Sequence, residues 1–271
     1  MGRKPKYRLG TTSYIIEDDL SVNALHLSSR VKEMELVLFD VTDGPTNLPD
    51  KKMQECLTQI GEKTGLVYTV HLPKDLSLRD GAESIMLTEK VLQLTSTLPV
   101  YGVVAHIEGW YWKKHKTSDE APELYREWLA EGRKLVRWLC EHAPETWHVC
   151  VENVENTPAD EVNLLVDGLD VSRCVDVGHL LKDRHPDPIG YVERNLANCR
   201  SIHLHAMNGD GRDHHSVALL DSDFLDRLLM TLVDQDYDGV LTLEVFGQAD
   251  FQSSLHAIRE SYQRIGVEWV N

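Results

Sequence analysis

Histidines and carboxylates recur in this chain at or just beyond the ends of short apolar runs: His71, His106, Glu152, Asp176, His203, Asp213 with His215, and Glu244. Imidazole nitrogen and carboxylate oxygen are the donors that Zn2+ or Mn2+ takes, and a shared carboxylate lets two ions sit roughly 3.5 to 4 Å apart. The series therefore points to a polynuclear metal enzyme. Glu152 is the best candidate for the shared ligand, because strand alternation turns its neighbours Val151 and Asn153 the other way. In Asp176-Val-Gly-His179 the spacing puts one donor at a strand end and the other on the following turn, where two different ions could be served. Gly178 is expected to allow the tight backbone between them. His203 and His205 share one face by the period of two, and one of them suffices as a ligand. The loop NGDGRDHHS supplies Asp213 and His215 in an Asp-x-His arrangement, with Asp210 and His214 as spare polar groups. Glu244 interrupts the otherwise apolar LTLEVF, where an unpaired charge would be costly.

Any one of these residues is more often a hydrogen-bonded core or surface group than a ligand, and the conjunction carries the reading. His26, His115, His142, His148, His185 and His256 lack such placement and read as surface or supporting residues. Trp110, Tyr111 and Trp112 follow His106. Such a cluster commonly packs a loop, but its place beside the candidate ligands makes Trp110 and Trp112 candidates for stacking on a large planar substrate, and His205 is a further substrate-binding candidate.

The elements that must position these groups are legible as eight β-like runs: YRLGTTSYII (7–16), MELVLFD (34–40), LVYTVHLP (66–73), YGVVAHIEG (101–109), WHVCVENVEN (147–156), RCVDVGHLL (173–181), RSIHLHAMNG (200–209) and GVLTLEVFG (239–247). They are rich in β-branched and aromatic residues and read as buried parallel strands. Helical spacing fills 19–31, 50–64, 82–97, 121–142, 158–168, 187–198, 221–235 and 250–265, with Asp50, Asp221 and Asp250 as expected N-caps. Eight alternations predict an α/β fold, a single (β/α)8 TIM barrel over residues 1–271, whose reactive groups project from the C-terminal ends of the strands. A doubly wound open sheet shows the same alternation, but no GxGxxG or GxxxxGK[ST] follows a strand here.

Hydrophobic residues make up 42% of the chain, enough for a large core, and no Pro/Gly/Ser-rich linker divides it. Only the basic start, MGRKPK, reads as weakly ordered. The net charge of −16 repels polyanions, so nucleic acid is a disfavoured partner and a small molecule the expected one; bound cations would neutralise part of that charge. The five cysteines form no CxxC pair and read as small hydrophobes in a reducing compartment. With neither a membrane-length apolar run nor a signal-peptide core, a cytoplasmic location is expected.

The residue series resembles the xylose isomerase-like barrel superfamily, and within it the endonuclease IV (AP endonuclease 2) type, over nearly the whole chain. The resemblance implies one ion on His71, His106 and Glu152, a second on Glu152, Asp176, His203 and Glu244, and a third on His179, Asp213 and His215. It thus implies two or three Zn2+ ions, with Mn2+ as the alternative. The chain departs from that pattern at HLHA, where Ala206 stands in place of a carboxylate. The strings GTTSYII, ELVLFD and TVHLPKD look like the cobamide-remodelling phosphodiesterases, which hydrolyse the nucleotide loop of B12-type cofactors. The expected activity is accordingly metal-dependent hydrolysis of a small-molecule phosphoester, with Glu152 holding the nucleophile and Glu244 or Asp176 positioning it. Two rivals remain at this stage. One is a sugar isomerase or epimerase using one Mn2+ or Mg2+ on Glu152, Asp176, His203 and Glu244; the other is a non-catalytic corrinoid- or metal-binding barrel.

Overall fold

The eight apolar runs become eight strands: β1 (Arg8–Thr12), β2 (Glu33–Val37), β3 (Val67–His71), β4 (Val100–Ala105), β5 (His148–Glu152), β6 (Ser172–Asp176), β7 (Cys199–Leu204) and β8 (Val240–Leu243). In the computed structural model, which describes residues 3–145 and 147–269, they pair in parallel in chain order, and β8 returns to β1 to close the barrel. The helices that cover it are α1 (Leu20–Leu27), α2 (Lys51–Thr64), α3 (Glu83–Thr95), α4 (Pro122–His142), α5 (Asp160–Val166), α6 (Val177–Lys182), α7 (Pro188–Asn195), α8 (Ser222–Asp234) and α9 (Gln248–Ile265).

Capping explains where several of these begin. Asp50 accepts from the Met53 amide at the start of α2, which ends at the left-handed Gly65, and Asp221 accepts from Asp223 and Phe224 at the start of α8. Asp250 does not cap α9. That helix starts after Gly247, and the Asp250 carboxylate instead meets His215 Nδ1 at 3.2 Å. The run RCVDVGHLL is likewise not one strand. The Asp176 carboxylate accepts from the His179 amide at 2.7 Å, which ends β6 and starts α6, so the described residues hold nine α-helices where eight were expected. The basic start is tied down from Arg3 onward: Arg3 bridges Val267, and Arg3, Lys4 and Lys6 pair with Asp234, Glu268 and Asp236. Met1 and Gly2 lie outside the described residues.

Strand alternation splits the barrel wall into two environments. Met34, Leu36, Val70, Val103, Ile202 and Leu241 belong to the large apolar core that includes helix residues such as Leu57, Leu139, Leu229 and Phe251. The opposite face lines the bore, which in barrels of this kind is usually filled by branched aliphatics. Here the bore is small and polar. Thr242 Oγ1 donates to Glu33 Oε2 at 2.9 Å, a Cβ on Gly10 would fall 1.8 Å from that same oxygen, and Val104, Cys150 and Cys174 form a small separate cluster. Small residues leave room for two buried glutamates, Glu33 and Glu35, beneath the rim. Among the described residues, no helix is long and apolar enough to cross a membrane.

Candidate metal centre

The C-terminal rim collects the donors. His71 is the last residue of β3, Glu152 of β5 and Asp176 of β6; His106 and Glu244 directly follow β4 and β8, and His203 is the penultimate residue of β7. After β7 the chain folds back on itself, Ala206 and His215 exchanging backbone hydrogen bonds at 2.9 and 3.0 Å. His214, at a left-handed φ of 56°, turns its ring inward from that loop.

Three donor sets adjoin one another, each with ligand atoms within 4.8 Å: His71, His106 and Glu152; Glu152, Asp176, His203 and Glu244; and Glu155, His179 and Asp213. Glu152 joins the first two. Its Oε2 lies 3.5 Å from His71 Nε2, 3.1 Å from His106 Nε2 and 3.4 Å from His203 Nδ1, while its Oε1 is 3.4 Å from His179 Nδ1. His203 Nδ1 also faces Glu244 at 3.3 Å and Asp176 at 3.9 Å. A fourth group, His179, His205 and His214, stands beside these, with His205 Nε2 3.3 Å from Asp176 and its ring stacked on His214 at 4.3 Å. Cys174 forms a fifth group with Glu152 and His203.

Supporting contacts aim the ligands. Asp75 Oδ1 lies 3.2 Å from His106 Nδ1, leaving Nε2 toward Glu152, an arrangement that fixes a metal-ligating imidazole. Asn153 donates to the Asp176 carbonyl and accepts its amide, both at 2.9 Å, locking the ends of β5 and β6 together. Below the rim Glu35 Oε2 approaches His203 Nε2 to 2.9 Å, although off the line of the ring N–H, so the contact is an ion-pair approach and not a hydrogen bond.

The charges are strongly coupled. Burial favours the neutral form of Glu152, yet His203, His106 and His179 hold its carboxyl well below the usual carboxylate range. Burial also opposes charge on the histidines, but Glu152 and Asp75 raise His106 to about 10, Asp176 and Glu152 raise His179 to about 11, and Glu244 with Asp176 and Asp213 raises His214 to about 9. Burial and the neighbouring Glu35 push Glu33 up to about 8, so it stays protonated at neutral pH.

Do these residues fit a metal? Glu152 Oε1, Asp176 Oδ2, His203 Nδ1, His205 Nε2 and Glu244 Oε2 are buried without a hydrogen-bond partner among the described residues. Buried polar atoms left unpaired are costly, and convergent N and O donors of this kind are what Zn2+ or Mn2+ would satisfy. The four-residue set fits on that ground, and the first set fits by its donor types, two imidazoles against the shared Glu152 carboxylate.

Several placements differ from the sequence expectation. His215 joins none of the donor sets; it faces Asp250, and the neighbouring His214 enters the cluster in its place. Trp112 is 4% exposed and packs edge-on against Trp128, and the ring of Trp110 is covered by the Arg79 guanidinium at 3.7 Å, so this cluster packs a loop. His205 is fully buried among the donors. Gly178 has no left-handed φ; it is needed because a Cβ there would lie 2.1 Å from His205 Cε1. Glu35, Asp75, Glu155, Cys174 and Lys182 were not read as site residues. For Glu35 a signal existed, since Glu33 and Glu35 share one face of a strand by the period of two.

A different group of aromatic residues borders the centre. Phe246 lies 5.5 Å from His214, Tyr14 lies 6.2 Å from Phe246, and Phe39 lies 6.5 Å from Tyr14, as ring centroids. Tyr14 and Phe246 are 37% and 42% exposed, which sets them apart from the buried Trp112. Tyr14 and Phe39 border a cavity of about 570 Å³ that Asp18, Asp19, Asn47 and Asp50 also line, with no Lys or Arg among its walls. A cavity of about 630 Å³ opens at the other end of the barrel, around Trp147, His148 and Arg200, but contains none of the donor sets.

No family model matches the chain, and no curated protein matches it. Solved structures do. A D-tagatose 3-epimerase-like protein aligns at a TM-score of 0.73 and 18% identity, over 95% of this chain and 98% of that one. Endonuclease IV from Thermus thermophilus aligns at 0.67 and 17%, over 95% and 99%, and the IolI protein with a bound zinc atom at 0.69 and 13%, over 95% and 97%. The fold is that of the xylose isomerase-like (β/α)8 barrels.

Proposed function

We propose that this chain is a metal-dependent phosphodiesterase acting on a small-molecule phosphoester, with the nucleotide loop of a cobamide as its substrate. The observation that carries the reading is the sharing of Glu152 between two adjoining donor sets. One set, Glu152, Asp176, His203 and Glu244, would serve a single-ion enzyme; His71 and His106 add a second position against the same carboxylate. Two adjacent Zn2+ or Mn2+ ions would supply an activated water near neutral pH and draw charge from the phosphate oxygens. Among this chain's own residues, Glu152 is shared by the two donor sets, Asp75 orients His106, and Asp176 and Glu244 face His203.

Charge and surface support a small substrate. The net charge of −16 opposes a polyanion such as DNA, and Tyr14 and Phe39 of the aromatic ledge border a cavity that includes Asp18, Asp19 and Asp50 in its lining and has no Lys or Arg there. Such a ledge suits a broad ring system without negative charge, placed one ring beyond the donors. The assay is incubation with a cobamide and chromatography for cobinamide-type products, with and without chelator. Cleavage abolished by chelation and restored by Zn2+ or Mn2+ is expected; undiminished cleavage in chelator would overturn the reading.

A second reading is a ketose epimerase or isomerase, favoured by the completeness of the four-residue set and by epimerases among the similar folds. It requires one ion per chain and turnover of a ketose, with Glu152 and Glu244 moving the proton. It assigns no role to His71 and His106.

A further inference from the structure

We propose that the ammonium group of Lys182 takes the place of a third cation, so that the centre loads two metal ions and carries its third positive charge as a side chain. The inference rests on the metal-dependent reading above and concerns how many ions that centre accepts.

Lys182 is the last residue of α6, three residues beyond His179. Its Nζ lies 2.5 Å from Glu155 Oε1 and hydrogen-bonds Asp213 Oδ2. Glu155 and Asp213 are two of the three members of the donor set that contains His179. Both carboxylates are therefore already engaged by a cation. A divalent ion entering there would have to displace the ammonium and share the space with it, against like-charge repulsion in a partly buried site.

The unpaired donors give an independent contrast. Every buried donor atom of the rim that lacks a hydrogen-bond partner among the described residues belongs to Glu152, Asp176, His203, His205 or Glu244, and none belongs to Glu155, His179 or Asp213. The unpaired atoms cluster on the four-residue set and the adjoining His205, whereas Glu155 and Asp213 already share the Lys182 ammonium. His215, which the sequence resemblance places in the third site with His179 and Asp213, faces Asp250 instead. The Lys182 side chain remains 33% exposed while its ammonium holds both carboxylates.

Elemental analysis after equilibrium dialysis against buffered Zn2+ tests this without reference to turnover. Wild type and Lys182→Arg should each hold two ions per chain, and Lys182→Met, which removes the cation and leaves both carboxylates, should hold three. Three ions in wild type would overturn the proposal while leaving the polynuclear reading intact. Equal counts in wild type and Lys182→Met would also overturn it, and a count below two in both would remove the polynuclear reading with it. Lys182→Gln provides the same comparison if the methionine variant fails to fold, and the wild-type count alone can refute the proposal.

Discussion

Metal loading of this centre should expel protons, and the structure sets how many. A histidine ligates through a lone pair, so each ligand that carries a proton in the metal-free protein must lose it on binding. In the two well-fitted sets, His106 is raised to about 10 by Glu152 and Asp75 against the effect of burial. His203 is also raised well above its ordinary value, burial being outweighed by Cys174, Glu35, Glu152 and Glu244. His106 is imidazolium at pH 7.5 and His203 is displaced in the same direction, so loading is expected to release about two protons. The sign follows: raising the pH removes competing protons and strengthens binding. With two protons displaced, affinity rises about a hundredfold per pH unit, or about 2.7 kcal/mol, while pH stays below the raised histidine values. The slope then falls as pH passes about 10, where His106 becomes neutral unaided. Calorimetric titration of Zn2+ into metal-free protein at pH 7.5, in two buffers of different ionisation enthalpy, counts the protons directly. Heats that do not depend on the buffer, with an affinity unchanged between pH 6.5 and 8.5, would refute the charge coupling inferred from these distances.

The two loop histidines give opposite expectations: His214→Ala should weaken Zn2+ binding by at least about tenfold and His215→Ala by less than about twofold, as read by competition with a fluorescent chelator. The reverse order would show that His215, and not His214, faces the ions. Gly178→Ala drives a methyl into the His205 ring and should destabilise by about 1 to 3 kcal/mol, lowering Tm by several degrees in a thermal scan; an unchanged Tm would mean that the two groups are not in contact. Tyr14→Ala combined with Phe246→Ala should raise the KM for a cobamide by about tenfold or more while metal content stays at the wild-type value. An unchanged KM would remove the ledge from the substrate site.

The barrel and much of its rim were legible because a strand fixes direction as well as place. In a parallel barrel each apolar run has one inward parity, so once VYTVH, HVCVE and SRCVD are recognised as strands, His71, Glu152 and Asp176 must converge at their C-terminal ends. Glu35 obeys the same rule and was missed because a glutamate at the start of an apolar run reads as a solvated flank; the small bore residues Gly10 and Thr242 make room for its neighbour Glu33 on the same face. Loops carry no parity. Between His214 and His215 the choice depends on an antiparallel bridge from His215 to Ala206 and on a left-handed residue at 214, neither of which leaves a periodic trace in NGDGRDHHS. Lys182 was hidden for a related reason. A lysine in the last turn of a helix is ordinarily explained by the exposed carbonyls there, and its second role exists only because the loop after β7 brings Asp213 to the same point that Glu155 reaches from the loop after β5. Donor types and strand ends thus specify where a cation would be held, whereas on the proposal for Lys182 the number of cations would depend on which charged side chain the loops deliver to the remaining carboxylates.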